Sequence, residues 1–465
     1  MGAPAAAEPD APARAARAPL PRSPPPVPGL ARGAAPFPDV PVIDGRDLSP
    51  RTFHREFVTK NRPCVIEGLA DGWRAAVDWR TERGLPDLDR LRAECGDLVA
   101  PLVEGWPPGE SAADAERRED AEAEDWNVGD AILEMQRRER AFEQEGEEAE
   151  RRRGRVGSSP PPSPRRGDEG PAPLPRAPLP LYLRDWHLQA QRPFPPFYEC
   201  PAIFHEDWLN DHYLGERWWE GSEGAGPATG GAGPGEPSGA AAPPPFRGVS
   251  SRCSDYRFVY CGTRGSGTRL HTDVLKSHSW STNVAGVKRW RLLPPDAEPA
   301  LRAGRPPGRL AKTLGGEWED GERGERAERG ACDEKDSGAP TGRGGSATSP
   351  SSSPSSSSPS SSSSSSSCPL PGQTVFVPSG WWHETRNETA CLSINHNWIE
   401  PVALRKGLEA LREERARAAR LLEDCRSGCA DVDEFRNLVE RNVACDLGMG
   451  YRETVEMLSL RVHMK

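Results

Sequence analysis

The sequence predicts a mainly β domain, an antiparallel barrel or sandwich with helices at its end and low-complexity inserts within it. Three observations predict this. Short runs rich in Val, Ile, Phe, Tyr and Trp recur along the chain and stop at Gly or Pro, as closely connected strands do. Beyond residue 403 the apolar period becomes that of a helix. Between the strand-like runs lie tracts of Pro, Gly, Arg and Ser, too poor in apolar surface to offset the entropy of ordering.

Taken in order, Val42-Ile43-Asp44 and Pro63-Cys64-Val65-Ile66-Glu67-Gly68 read as the first strands. Phe53 and Phe57, four apart between them, suit a short helix. Arg257-Phe-Val-Tyr-Cys-Gly262 is an aromatic and β-branched run ended by Gly. Ser279–Gly286 and Lys288–Leu293 follow, the latter closed by Pro294-Pro295. Thr374-Val-Phe-Val-Pro378 and Ala390-Cys-Leu-Ser-Ile-Asn395 complete the strands. Leu404, Leu408 and Leu411 then fall at helical spacing. Gly428 marks a stop, and Asp431 with Glu434 three residues on marks a restart. The C-terminal helices, 403–465, are packing elements and a candidate homodimer interface.

Composition agrees with one core and several inserts. The protein has 465 residues, only 35% hydrophobic, with 47 Gly and 50 Pro. Length alone would allow about three domains, yet so polar a sequence cannot be packed throughout. Disorder is expected in a leader, 1–36, and in inserts over 143–178, 221–250 and 304–370, the last ending in a serine homopolymer. The leader is Ala-, Pro- and Arg-rich, which fits a plain low-complexity segment better than a transit peptide. A formal net charge of -10 gives no electrostatic reason to expect direct nucleic-acid binding. Eleven cysteines include no CxxC pair, the nearest approach being Cys425-x-x-x-Cys429. That fits free thiols in a reducing compartment, cytoplasmic or nuclear. No apolar run is long enough for a membrane span.

The chemistry rests on His271-Thr-Asp273 and on His383 far downstream. Two residues apart on an extended segment, His271 and Asp273 project to one face and can share one metal. His383 follows Gly380-Trp-Trp382, just past the strand ending at Pro378, and supplies a second imidazole. Two imidazoles and a carboxylate form the ligand set of a non-haem Fe(II) site with open positions. An HxD alone is common by chance. Structural zinc would want four closed ligands, usually thiolates at regular spacing, and these are missing; catalytic zinc remains chemically open.

Lys288 adds weight. Only seven of the 60 basic residues are lysine, so a lysine inside an apolar strand stands out. Strand alternation puts it on one face with Trp290 and Leu292, a combination that suits a barrel interior. There its ammonium could hold the distal carboxylate of a dicarboxylate co-substrate, and Thr268 could add a hydroxyl donor. Trp280, Trp290 and Trp381 are candidate walls, though core packing explains each as well.

Several stretches together resemble the JmjC (Jumonji C) 2-oxoglutarate oxygenases. They are Gly267-Thr-Arg-Leu-His271-Thr-Asp273, Gly286-Val-Lys288-Arg-Trp-Arg-Leu-Leu-Pro-Pro295, Phe376-Val-Pro-Ser-Gly-Trp-Trp-His383 and Asn395-His-Asn397-Trp398. Leu181-Tyr-Leu-Arg-Asp-Trp-His187, Asp207-Trp-Leu-Asn210 and Asn61–Gly68 extend the likeness. It implies a double-stranded β-helix of the cupin type, with 37–142 its N-terminal part, 179–220 leading into the barrel and 251–402 the barrel itself. It implies Fe(II) on His271, Asp273 and His383, 2-oxoglutarate on Lys288 and Thr268, and Asn395 and Asn397 lining the site. It also implies use of O2, release of succinate and CO2, and ascorbate as reductant. The nearest branch implies lysyl C–H hydroxylation of a protein substrate, a translation termination factor. Two rivals stay open: an N-methyl-lysine demethylase with the same site, and a non-catalytic cupin scaffold.

Overall fold

The computed structural model describes residues 40–106, 121–155, 178–214, 255–303, 311–313, 365–367 and 369–463. The expected leader lies outside these residues, as do most of the three inserts.

Thirteen strands form two sheets among the described residues. In order they are β1 (Val42–Asp44), β2 (Cys64–Glu67), β3 (Val99–Glu104), β4 (Glu124–Asn127), β5 (Leu181–Trp186), β6 (Arg257–Gly262) and β7 (Gly267–His271). Then come β8 (His278–Ala285), β9 (Lys288–Leu293), β10 (Ser365–Ser367), β11 (Thr374–Val377), β12 (Trp382–Asn387) and β13 (Cys391–Trp398). The larger sheet runs β1-β2-β11-β8-β13-β6-β5-β3-β4 and the smaller β10-β9-β12-β7. All pairings are antiparallel except β1 with β2. The mainly β class expected from the sequence is therefore what the protein adopts.

Side chains of the two sheets meet face to face. Lys288 of the smaller sheet reaches Ser393 and Tyr182 of the larger one. On the opposite face of the larger sheet lies the main apolar core, where Phe53, Trp79, Leu183, Trp186, Trp280, Phe376 and Ile394 are all buried. Phe53 comes from α1 (Pro50–Phe53), which a π turn (His54–Val58) extends through Phe57.

Three differences from expectation have physical causes. Helix α2 (Val128–Arg155) runs into the insert expected over 143–178. Its Glu- and Arg-rich end is poor in apolar residues, yet both are good helix formers. Ser365–Ser367, inside the insert expected over 304–370, pairs with Trp290–Leu292. Ladder hydrogen bonds use the backbone and need no apolar side chain. His383 follows the strand ending near Pro378, as expected, but lies inside a further strand, β12, of the other sheet. That strand reads as polar, Trp-His-Glu-Thr-Arg-Asn, yet Glu384 is buried because Arg291 on β9 pairs with it at 3.2 Å.

Strand β5 carries a bulge. Leu183 pairs with Cys261 and Trp186 with Val259, so Arg184 and Asp185 together oppose Tyr260. Asp185 takes a left-handed φ of 53°, the kind of local kink a bulge introduces.

The C-terminal helices are α3 (Leu404–Leu421), α4 (Val432–Leu447) and α5 (Tyr451–His463). Leu411, Phe435, Val439 and Met457 bury together with Leu275 and Tyr256, forming a second core. The restart at Asp431 is as expected: its carboxylate accepts from the Glu434 N–H at 2.8 Å. No helix among the described residues is long and apolar enough to cross a membrane.

Candidate metal centre

Strands β7 and β12 bring the two imidazoles together. Their antiparallel register sets His271 directly opposite His383, and the ring centroids lie 4.2 Å apart. Asp273 follows β7 at the start of a tight turn, Val274–Lys276. Its Oδ1 is 3.9 Å from His383 Nε2. One donor atom from each of the three residues falls within 4.8 Å of the other two, and among the described residues no other trio of His, Cys, Asp or Glu does this.

The atoms that do not face this point are already engaged. His271 Nδ1 lies 2.7 Å from the Arg269 carbonyl, and His383 Nδ1 lies 3.3 Å from the Trp381 carbonyl. A carbonyl only accepts, so each Nδ1 carries the proton and each Nε2 lone pair is free. Ser279 donates to Asp273 Oδ2 at 2.7 Å, leaving Oδ1 toward the imidazoles. Burial, and then the neighbouring His383, lower the His271 pKa to about 4, so the ring is neutral, the form that binds metal. The Trp290 ring stacks on His383 at 5.7 Å. Two imidazole Nε2 atoms and one free carboxylate oxygen on one side fit an iron ion that keeps open positions.

A second polar pocket surrounds Lys288, which is only 3% exposed. Its Nζ donates to Ser393 Oγ at 2.6 Å and to the Tyr182 hydroxyl at 3.2 Å. It also sits over the rings of Tyr182 and Tyr260. Tyr182 in turn hydrogen-bonds Thr268, and burial raises its pKa. Lys288 and Thr268, named from the sequence as donors to one carboxylate, meet through Tyr182. Among the described residues no carboxylate pairs with Lys288. A buried ammonium held only by hydroxyls calls for an anion, and the distal carboxylate of 2-oxoglutarate fits that need.

Between the two pockets runs a polar stripe. Ser393, Asn395 and Asn397 alternate along β13, opposite Asn283, Ser281 and Ser279 of β8. Asn395 donates to Asn397 at 2.9 Å, and Asn397 to Ser277 at 3.2 Å. Both asparagines face the interior. Of the candidate walls, only Trp290 lays its ring against a ligand residue; Trp381 meets His383 through its carbonyl alone. Trp280 belongs to the main core, stacked on Phe204, and Trp381 packs beside Val375 and Val377 and donates to the Asn61 carbonyl.

Sequence reasoning missed Tyr182, Ser279 and Ser393. Ser393 lies two residues before Asn395, so strand alternation from Asn395 and Asn397 was the signal that could have found it. Tyr182 lay in a stretch already singled out, but nothing local marked its hydroxyl.

The comparisons with known proteins agree with this geometry. A cupin-like domain family matches residues 237–403, which contain all three ligand candidates and Lys288. The 2-oxoglutarate and iron-dependent oxygenase JMJD4 of Homo sapiens is 25% identical over 438 residues, covering 93% of this chain and 78% of that protein. The protein has a JmjC-type cupin domain, homologous to that of the JMJD4 oxygenases. This JmjC domain also resembles the arginine-specific demethylase JMJ20 of Arabidopsis thaliana, 26% identical over 430 residues, 88% of this chain and 67% of that one. A bifunctional arginine demethylase and lysyl-hydroxylase, psr-1 of Caenorhabditis briggsae, is 21% identical over 362 residues, 77% and 61% of the two chains. Iron and 2-oxoglutarate dependence are named for the JMJD4 relatives.

Proposed function

We propose that this JmjC domain is a protein hydroxylase that oxidises a C–H bond of an amino-acid side group, with lysine the target and a translation termination factor the narrower candidate substrate. The observation that carries the reading is the pairing of two pockets on one interior face. One offers two Nε2 lone pairs and a carboxylate oxygen; the other offers an ammonium with no counter-ion among the described residues. Iron and 2-oxoglutarate, when bound, supply the oxidising power for C–H hydroxylation, with succinate and CO2 released.

The protein's own residues bind, orient and exclude water. His271, Asp273 and His383 would hold the metal from one side. Lys288, with Tyr182, Ser393 and Thr268, would orient the co-substrate by its far carboxylate. Trp290 walls the metal side against water.

A second reading, N-methyl demethylation, gains support from the plant relative named as an arginine-specific demethylase. One experiment separates the two. The purified protein is incubated with Fe(II), ascorbate, 2-oxoglutarate and candidate protein substrates, methylated and unmethylated, with His271→Ala as control. Succinate with one added oxygen on an unmethylated lysine is the expected result. Formaldehyde from methylated substrate alone favours demethylation. No succinate from any substrate, with both ligands bound, favours a non-catalytic scaffold.

A further inference from the structure

Beside the metal centre lies a buried pair that the proposed reaction does not use, His278 and Glu400. Both are essentially inaccessible to solvent. His278 Nδ1 accepts the backbone N–H of Ser379 at 2.9 Å. That contact places the ring proton on Nε2, which faces Glu400 Oε1 at 3.1 Å. Glu400 is held in turn by the N–H groups of Val402 at 3.0 Å and Ala403 at 3.2 Å, just ahead of α3. The rings of Phe376 and Trp398 flank the imidazole.

The location gives the pair its meaning. Ser279, next in sequence to His278, holds Asp273. Ser379 opens the short segment that leads to His383. Between Asp273 and His278 the turn contains two successive left-handed residues, Leu275 at φ 55° and Lys276 at φ 46°. Such conformations persist only where the surroundings enforce them. Ser379 supplies that enforcement at the far end of the turn, because its hydroxyl donates to the Lys276 carbonyl at 2.6 Å while its N–H donates to His278 just beyond. Leu275 is pinned from outside by the second core, which α3 helps to form.

We propose that His278 is a positioning residue for the metal centre: with its tautomer set by Glu400, it clips the segment carrying His383 to the turn and strand that hold Asp273. The proposal rests on the metal reading above. It extends that reading to two residues that touch none of the metal-binding atoms.

The test uses the full-length protein, stripped of metal and titrated with Co(II) while its visible absorption is recorded. Two substitutions divide the imidazole's contacts. In His278→Asn the amide oxygen stands where Nδ1 was and can still accept from Ser379. In His278→Gln the amide nitrogen stands where Nε2 was and can still reach Glu400, but the Ser379 N–H loses its acceptor. Loss of outer partners typically weakens metal binding by about 10–100-fold. That loss is expected for His278→Gln and should be largely rescued in His278→Asn. Should either variant fail to fold, Ser379→Ala, which removes only the hydroxyl, is expected to weaken Co(II) binding several-fold with unchanged circular dichroism. Co(II) bound equally by both His278 variants, or by Ser379→Ala as tightly as by the parent, overturns the proposal alone. A parent protein that takes up no Co(II), or takes it up equally as His271→Ala, overturns the metal reading and the proposal with it.

Discussion

Ser279 donates its hydroxyl hydrogen to Asp273 Oδ2 across 2.7 Å, while Oδ1 of the same carboxylate faces His383 Nε2. The serine therefore decides which oxygen is free. Ser279→Ala should weaken metal binding by about 10–100-fold with little change in fold. Competition between the protein and a chromophoric chelator for Co(II) measures this. An affinity equal to the parent's would mean that Asp273 is oriented by something else.

Lys288 should show opposite signs with and without co-substrate. A buried ammonium lacking a counter-charge weakens the empty protein, so Lys288→Met is expected to leave urea stability unchanged or raised. The same change should cost about 2–5 kcal/mol of affinity for 2-oxoglutarate or its non-reactive analogue N-oxalylglycine. Calorimetric titration of the metal-loaded protein gives the second quantity and urea unfolding the first. A variant that binds the analogue as tightly as the parent would remove Lys288 from the co-substrate pocket.

Buried imidazoles set the acid limit of the metal-free fold. Burial lowers the pKa of His271 to about 4 and those of His278 and His396 below the ordinary 6.5. Above pH 6.5 these rings are neutral in both states and cost nothing. As pH falls below 6.5 the unfolded state takes up protons that the folded one refuses, so stability drops with falling pH. Asp207 opposes this, because burial raises its carboxyl from 3.8 to about 7 and favours folding at lower pH. Glu139, whose carboxyl burial also raises, acts with Asp207; three imidazoles against these two carboxyls should leave a net loss between pH 7 and pH 5, read by urea midpoints. A flat or rising profile toward pH 5 would contradict the burial of these rings.

At Gly267, β7 lies hard against the backbone of β12. A methyl group there would meet the Thr385 carbonyl oxygen at 2.0 Å and its carbon at 2.8 Å. Backbone cannot step aside as a side chain does, so Gly267→Ala must part the two strands that pair His271 with His383. A loss of about 1–3 kcal/mol is expected, together with loss of Co(II) binding. Gly72→Ala, where nothing lies within 4 Å, is the neutral control. Equal behaviour of the two variants would argue against this strand pairing.

What the sequence made legible was whatever leaves a local mark. Cys64–Glu67, Arg257–Gly262 and Lys288–Leu293 are β-branched or aromatic runs with Gly or Pro beside them, and each is a strand. Strands β3 and β4 escaped notice because one contains Pro101 and the other is Glu-Asp-Trp-Asn, a polar edge strand. His271 and Asp273 could be paired from sequence since they are two residues apart. The hydroxyls around Lys288 were harder: alternation from Asn395 puts Ser393 on the interior face, yet Tyr182 and Ser393 reach Lys288 from strands more than 100 residues away. A serine or tyrosine at such a distance carries no sign of what it will touch.

The bulge in β5 phases two surfaces against each other. Tyr182 must face the co-substrate pocket, while Leu183 and Trp186 must both face the main core. Strict alternation forbids the latter pair, three residues apart, from sharing a side. The extra residue at Arg184–Asp185 supplies the missing half-period. Removing a single residue there would bring Leu183 and Trp186 two apart, the spacing that plain alternation already accepts, so both surfaces would keep their phase without the bulge. The strand thus acts as a gearwheel with one added tooth: the loss of one amino acid at Arg184–Asp185 is the deletion it can absorb, whereas the loss of Tyr182 or Leu183 would slip the pairs they make and turn a surface inside out.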